Sequence, residues 1–167
     1  MRDVPIFEER NKKMKVGFYA GSFDPFTNGH LHVVKRSAKL FDKVIIGIGV
    51  NSSKNRRYHQ DIIKEAIEKV LKREGLENVF VILYSDLSIA VAKEHDTTFF
   101  IRGIRNGMDY DYEENIALIN EELSGIDTIY IRAGKYGAIS SSIVTEFMSY
   151  GQDVSSLVPP EIYEIMK

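Results

Sequence analysis

Apolar runs at residues 16–20, 44–50, 79–84, 97–101 and 128–131 punctuate the chain, each short and rich in β-branched and aromatic side chains. Runs that are apolar at successive rather than alternate positions predict strands buried on both faces. Between them the period changes. Leu31, Val34, Ala38 and Phe41 recur at helical spacing, as do Ile62, Ala66, Lys69 and Val70, and further helical segments are predicted over 89–94 and 112–123, the last with Ile116, Leu118 and Ile119 as its apolar positions. Strands alternating with helical crossovers predict an α/β domain built on a doubly wound, five-stranded parallel sheet. A ligand in such a sheet sits beyond the carboxyl ends of the strands, where the strand order reverses, so functional residues are expected in the loops that follow strands.

Composition narrows this picture. The 167 residues are 44% hydrophobic and 28% charged, which fits one folded domain with a sizeable core and excludes disorder. No repeat or linker divides the chain. Residues 1–13 are charged and lack a period, so they are read as an N-terminal extension to a domain at 14–167, with Met14 as an alternative start. No run is long enough to span a bilayer. The net charge of −2 gives no global pull on nucleic acid or an anionic membrane, so any anion must be held by a local cluster of donors. The absence of cysteine excludes disulfides and thiolate chemistry, and with no secretory pattern at the start it points to the cytoplasm.

The segment after the first predicted strand reads Gly21-Ser22-Phe23-Asp24-Pro25-Phe26-Thr27-Asn28-Gly29-His30. Gly21 lets the backbone turn, Pro25 stiffens the loop, and Asn28-Gly29 is a turn signal. His30 then falls in the first helical turn, beside free N–H groups that favour an anion and disfavour an imidazolium, so a neutral ring donating to a phosphate oxygen is chemically reasonable. Neither a dinucleotide fingerprint nor a P-loop is present. Arg102-Gly103-Ile104-Arg105 closes the fourth apolar run, where two guanidinium forks around a glycine suit phosphate oxygens. Ser140-Ser141-Ser142 offers hydroxyls and helix N-terminal N–H groups, although a serine run is also an ordinary N-cap. Lys54 follows the second strand and is a mobile ammonium.

Together these blocks resemble the nucleotidyltransferase α/β superfamily with its Thr/His-x-Gly-His motif, and over residues 14–160 the bacterial phosphopantetheine adenylyltransferase family in particular. Gly-Ser-Phe-Asp-Pro-x-Thr-x-Gly-His, Arg-Gly-x-Arg followed by Asp109-Tyr110-Asp111-Tyr112-Glu113, and Ile139-Ser-Ser-Ser occur in the family's order. The resemblance implies a Rossmann-like fold and transfer of the adenylyl group of ATP to 4′-phosphopantetheine, with His30, Lys54 and Arg102 as catalytic residues. Ser22, Phe23, His30, Gly103, Ile104, Arg105, Glu113, Tyr136, Gly137, Ala138, Ile139, Ser140, Ser141 and Ser142 are then expected at ATP, and Ser22, Lys54, Ser88, Arg102, Ile116 and Asn120 at phosphopantetheine. Magnesium (Mg2+) is expected with the triphosphate and no protein-held metal site. A homohexamer and feedback by coenzyme A follow from the resemblance alone.

The chain departs from the family pattern where the acceptor is read. Lys54-Asn55-Arg56-Arg57-Tyr58 stands for Lys-Lys-Pro-x-Phe, so Lys54 is kept and the proline is not, and Ile62-Ile63 stand for a Glu-Arg pair. Asn106-Gly107-Met108 replaces a tighter segment, and a more mobile connection is expected there. Two alternatives stay open at this point: a related nucleotidyltransferase with another phosphorylated acceptor, such as nicotinamide mononucleotide or a phosphorylated polyol, and a nucleotide-binding homologue without turnover.

Overall fold

The structure, a computed structural model, describes residues 13–51 and 55–167. The extension at 1–12 and the Ser52-Ser53-Lys54 segment lie outside the described residues. The chain runs β1 (Val16–Gly21), α1 (Asn28–Leu40), β2 (Lys43–Gly49), α2 (Gln60–Arg73), β3 (Val79–Tyr84), α3 (Ser88–Glu94), β4 (Phe99–Ile104), α4 (Gly107–Ser124), β5 (Asp127–Arg132), a 3-10 turn (Gly134–Tyr136), α5 (Ser141–Ser149) and α6 (Pro160–Met166). Every strand pairing is parallel and the order is β3-β2-β1-β4-β5. The chain therefore winds outward from β1 to β3, returns to β1's other side and winds outward again, which puts the reversal between β1 and β4.

The strands carry two cores because their side chains alternate. Tyr19, Val44, Ile46, Ile48 and Ile101 pack with α1, α2 and α6 in the larger cluster, while Phe18, Ile45 and Phe100 meet Val91 and Ala92 of α3 on the other face. Burying each such aliphatic or aromatic side chain is worth about 1.5–3 kcal/mol, which is why the apolar runs set the layers. Register along the ladders is unequal. β2 pairs with β1 from Val16–Lys43 through Gly21–Ile48, whereas β1 and β4 register only at Gly17–Phe99 and Phe18–Phe100. Beyond Phe18 and Phe100 the two strands part, and the switch point opens there.

Three expectations are corrected. β4 does not stop at Ile101 but continues through Arg102, Gly103 and Ile104, because those residues pair with Tyr130, Ile131 and Arg132 of β5. The Asn106-Gly107-Met108 connection is not a loose loop: Asn106 is the N-cap of α4, its Oδ1 accepting the Asp109 N–H at 3.0 Å, and Gly107 and Met108 form the first helical turn. The apolar positions of α4 do not all face the core, for Ala117 and Asn120 are the buried ones, while Leu118, Ile119 and Leu123 are 55%, 60% and 63% exposed. A helix apolar on more than one face offers a second apolar surface. Gly125 then ends α4 with φ 70°, a left-handed cap that glycine adopts without a Cβ penalty.

Candidate active site

The loop after β1 is built inward from its aromatic rings. Phe23 and Phe26 are buried, at 2% and 0% exposure, and with Tyr19 they surround the His30 ring, with centroids 5.1, 5.6 and 6.4 Å from it. Thr27 is the N-cap of α1, and His30 occupies the position three residues on that closes a reciprocal cap. The His30 N–H donates to Thr27 Oγ1 at 3.4 Å, and the Thr27 N–H donates to His30 Nδ1 at 2.9 Å. An Nδ1 that accepts a backbone N–H carries no proton, so the neutral ring holds its proton on Nε2. Burial first, and then the Arg105 charge, push the imidazole down from 6.5 to about 4. His30 borders a cavity of about 450 Å³ as an uncharged donor.

The opposite wall comes from β4 and α4. Gly103 lies in this wall with little room for a side chain: a Cβ there would lie 3.0 Å from Val33 Cγ2 and 3.4 Å from Tyr19 Oη, so these neighbours would have to shift. Arg105 donates from Nε and Nη2 to the two carboxylate oxygens of Asp109, each at 2.7 Å, and Asp109 also accepts the Arg105 N–H at 3.2 Å. These bonds hold the Asp109 carboxyl below its usual range. One turn further along α4, Glu113 Oε2 lies 3.1 Å from Arg102 Nη1. That pair is close but not aligned as a hydrogen bond, and Oε2 is buried with no hydrogen-bond partner. Burial accordingly raises the Glu113 carboxyl in spite of Arg102. Each arginine thus meets a carboxylate of α4.

The third wall is α5. Ser140 caps it, its Oγ accepting the Ile143 N–H at 3.2 Å, and Ser141 Oγ donates to the Pro25 carbonyl at 2.8 Å, which ties the start of α5 to the loop after β1. The serine run is therefore an N-cap, and Ser140 and Ser141, at the helix start where N–H groups lack intrahelical partners, line the cavity. The Ser141 hydroxyl is committed to a carbonyl; Thr27 Oγ1, 3.1 Å from His30 Nδ1, is buried within the cap at 1% exposure, and the sequence has no cysteine.

A second cavity, about 600 Å³, lies between the ends of β2 and β3 and is lined by Val50, Asn51, Tyr84, Asp86, Leu87 and Ser88, among others. The two cavities meet at Gly21 and Ser22, which line both. Such a pair can hold two ligands end to end, with one cavity rich in phosphate donors.

The structure brings together Ser22, Phe23, His30, Arg102, Gly103, Arg105, Glu113, Ile139, Ser140 and Ser141 around the first cavity, and Ser22 and Ser88 in the second. Ile104, Gly137, Ala138, Ser142, Ile116 and Asn120 line neither, and Tyr136 faces a separate groove beside α1. Asn120 is buried on α4 with Nδ2 unpartnered. Lys54 lies outside the described residues. Sequence reasoning missed Tyr19, Thr27, Asp109 and Tyr112 as cavity residues. Tyr19 is hidden inside an apolar run, and the order of residues in the Arg105 to Asp109 segment does not reveal that the two side chains pair. Among the described residues no group of three or more His, Cys, Asp or Glu is arranged to hold a metal.

The cytidylyltransferase-like family model matches residues 18–147. The phosphopantetheine adenylyltransferase of Lachnoclostridium phytofermentans is 41% identical over 155 residues, covering 92% of this chain and 94% of that one. The phosphopantetheine adenylyltransferase of Campylobacter jejuni subsp. jejuni is 42% identical over 151 residues, covering 89% and 94%. A solved structure, the Plasmodium falciparum nicotinic acid mononucleotide adenylyltransferase complexed with NaAD, superposes with a TM-score of 0.67 at 16% identity, over 92% of this chain and 94% of that one, and so shares the fold. With a matching family model over most of its length and relatives of this name at about 40% identity over about nine-tenths of it, the chain belongs to the phosphopantetheine adenylyltransferase family of nucleotidyltransferases.

Proposed function

We propose that the chain transfers the adenylyl group of ATP to 4′-phosphopantetheine, giving dephospho-coenzyme A and pyrophosphate. The observation that carries this reading is the meeting of the two cavities at Ser22, with the neutral His30 donor and two arginines beside the junction. An oxygen of the acceptor phosphate attacks the α-phosphorus of ATP in line, the new P–O bond forms as the bond to the bridging oxygen breaks, and pyrophosphate leaves. With the acceptor phosphate itself as the nucleophile, catalysis rests on positioning and on neutralising charge.

In this reading His30 Nε2–H steadies the α-phosphate in its pentacoordinate state. A neutral donor suits this task because it stays in one protonation state from mildly acid to alkaline pH. Arg102, released from Glu113, meets the acceptor phosphate together with Lys54, and Arg105, oriented by Asp109, meets the triphosphate with the N–H groups at the start of α5. Glu113, Gly103, Ile139, Ser140 and Ser141 border the rest of ATP, and Ser88 borders the pantetheine arm. Magnesium enters as part of the ATP substrate, held by phosphate oxygens and water, since Asp109 is held by Arg105.

Assembly and setting complete the proposal. The outward apolar positions of α4 support a homo-oligomer, which the family resemblance makes a hexamer, with coenzyme A as a feedback ligand. No helix among the described residues is long and apolar enough to cross a membrane, and we place the enzyme in the cytoplasm as a 14–167 domain with an N-terminal extension. The test is pyrophosphate release from ATP with 4′-phosphopantetheine, beside a no-acceptor control and nicotinamide mononucleotide. Release only with 4′-phosphopantetheine is expected. Release only with another acceptor would leave the ATP half standing and remove the acceptor, and ATP binding without release would remove the transfer.

A further inference from the structure

Arg56 stands where the family pattern carries the stiffening proline, and the structure gives it work that no proline can do. It donates from Nη2 to the Ser22 carbonyl at 2.6 Å, from Nη1 to the Gly49 carbonyl at 3.2 Å and from Nε to the Tyr58 carbonyl at 3.3 Å. One planar guanidinium thus joins the loop after β1, the end of β2 and the segment leading into α2. Asp24 closes the same span from the other side, its two carboxylate oxygens accepting the N–H groups of Arg57 at 2.8 Å and Tyr58 at 3.1 Å. The two loops are stapled by a side chain from each.

The shortest of these bonds falls on a strained peptide. Phe23 has φ 48°, in the left-handed region that residues with a Cβ avoid. Such a conformation persists only where its surroundings over-determine it. Here the surroundings are the Tyr19, Phe26 and His30 rings around the Phe23 side chain and Arg56 on the carbonyl of the preceding residue. The Ser22–Phe23 peptide is trans, so its N–H points away from its carbonyl, and no described group accepts the Phe23 N–H.

We propose that Arg56 is a positioning residue for phosphate transfer: by holding the Ser22 carbonyl outward it turns the Phe23 N–H toward the substrate cavity as a fixed donor to a phosphate oxygen of ATP. Arg56 itself lines neither cavity. Its effect passes through one peptide. Residues 56–58 are therefore not slack, since a three-way guanidinium bond replaces a rigid ring. The phosphate role rests on the adenylyl-transfer reading above, whereas the peptide orientation does not.

The test compares the full chain with Arg56→Ala and Arg56→Lys, by calorimetric ATP binding and by pyrophosphate release. In Arg56→Ala, ATP affinity and kcat/KM fall about 10- to 100-fold, the range expected when charge-assisted hydrogen bonds are lost. Added guanidinium ion, below denaturing concentration, restores part of that loss. Arg56→Lys keeps the charge but cannot reach three carbonyls from one plane, so it falls about tenfold. Circular dichroism reports folding, and if Arg56→Ala does not fold, Arg56→Lys carries the test. Wild-type ATP affinity in a folded variant would overturn the proposal, as would activity that falls only with the fraction of folded protein while KM for ATP is unchanged. Should the wild-type chain release no pyrophosphate with 4′-phosphopantetheine, the transfer reading fails, and the ATP titration still decides the role of Arg56.

Discussion

The cap that binds Thr27 to His30 makes a quantitative claim about a proton. A free imidazole titrates near 6.5, and the ring environment of His30 brings it to about 4. At pH 5.5 an ordinary histidine is about 90% protonated, whereas a group at about 4 is about 3% protonated, so the two cases separate cleanly. The perturbation is a titration from pH 7.5 to 4, with His30→Gln identifying the resonance among the four histidines of the chain. Long-range 1H–15N NMR reads both the protonation state and the tautomer. The expected spectrum shows protonated Nε2 and unprotonated Nδ1, unchanged down to pH 5. The same shift appears in stability. The folded pKa lies below the unfolded one, so the unfolded chain binds the extra proton. The contribution is complete above about pH 6.5 and is lost as pH falls through about 4, amounting to at most about 3 kcal/mol for a ring that borders a cavity. Urea unfolding of wild type against His30→Gln isolates this term, because the glutamine variant lacks it. A His30 resonance that titrates between pH 6 and 7, or a proton on Nδ1, would refute the reasoning from the cap.

Other consequences are open to direct measurement. His30→Ala is expected to keep the fold and to lose about 10²–10³ in kcat for pyrophosphate release, the usual result of removing one transition-state donor, and near-normal kcat would remove its assigned role. Asp109→Ala leaves the Arg105 guanidinium unheld, so KM for ATP rises about tenfold with a smaller change in kcat, because about 1–2 kcal/mol of orientation is lost at a partly exposed pair. An unchanged KM would mean that Arg105 needs no partner. Ile119→Glu combined with Leu123→Glu, on the exposed face of α4, is expected to lower the mass seen in sedimentation without unfolding the chain. The same mass in both forms would place the assembly surface elsewhere.

The parts of the molecule that follow local rules were legible in the sequence. The apolar runs fixed the strands, and turn residues followed by Gly29-His30 located the start of α1 and its histidine. The end of β4 was read too short because Arg102 and Gly103 interrupt the apolar run, and pairing with β5 overrides that interruption. The start of α4 was missed for a related reason: Gly107 suggested slack, while Asn106 supplies a cap that only its hydrogen bond to Asp109 reveals. Periodicity identified the apolar positions of α4 but not which of them the sheet covers. The Pro160 that opens α6 is a standard helix start and was overlooked. Arg56 shows the deeper limit, since its bond to Ser22 spans 34 residues and its chemistry exists only once β1 and β2 lie side by side.

The parting of β1 and β4 has a mechanical consequence. Joined only near their bases, the β3-β2-β1 and β4-β5 ribbons form a notch, and the cavity occupies its mouth. A phosphate chain lodged there touches both ribbons and acts as a brace where the ladder supplies none. ATP should then raise the melting temperature by the ordinary mass-action gain, but its signature in amide exchange should be local, with Tyr19, Ala20 and Gly21 facing Arg102 and Gly103 quietening first. The substrate completes the sheet that holds it.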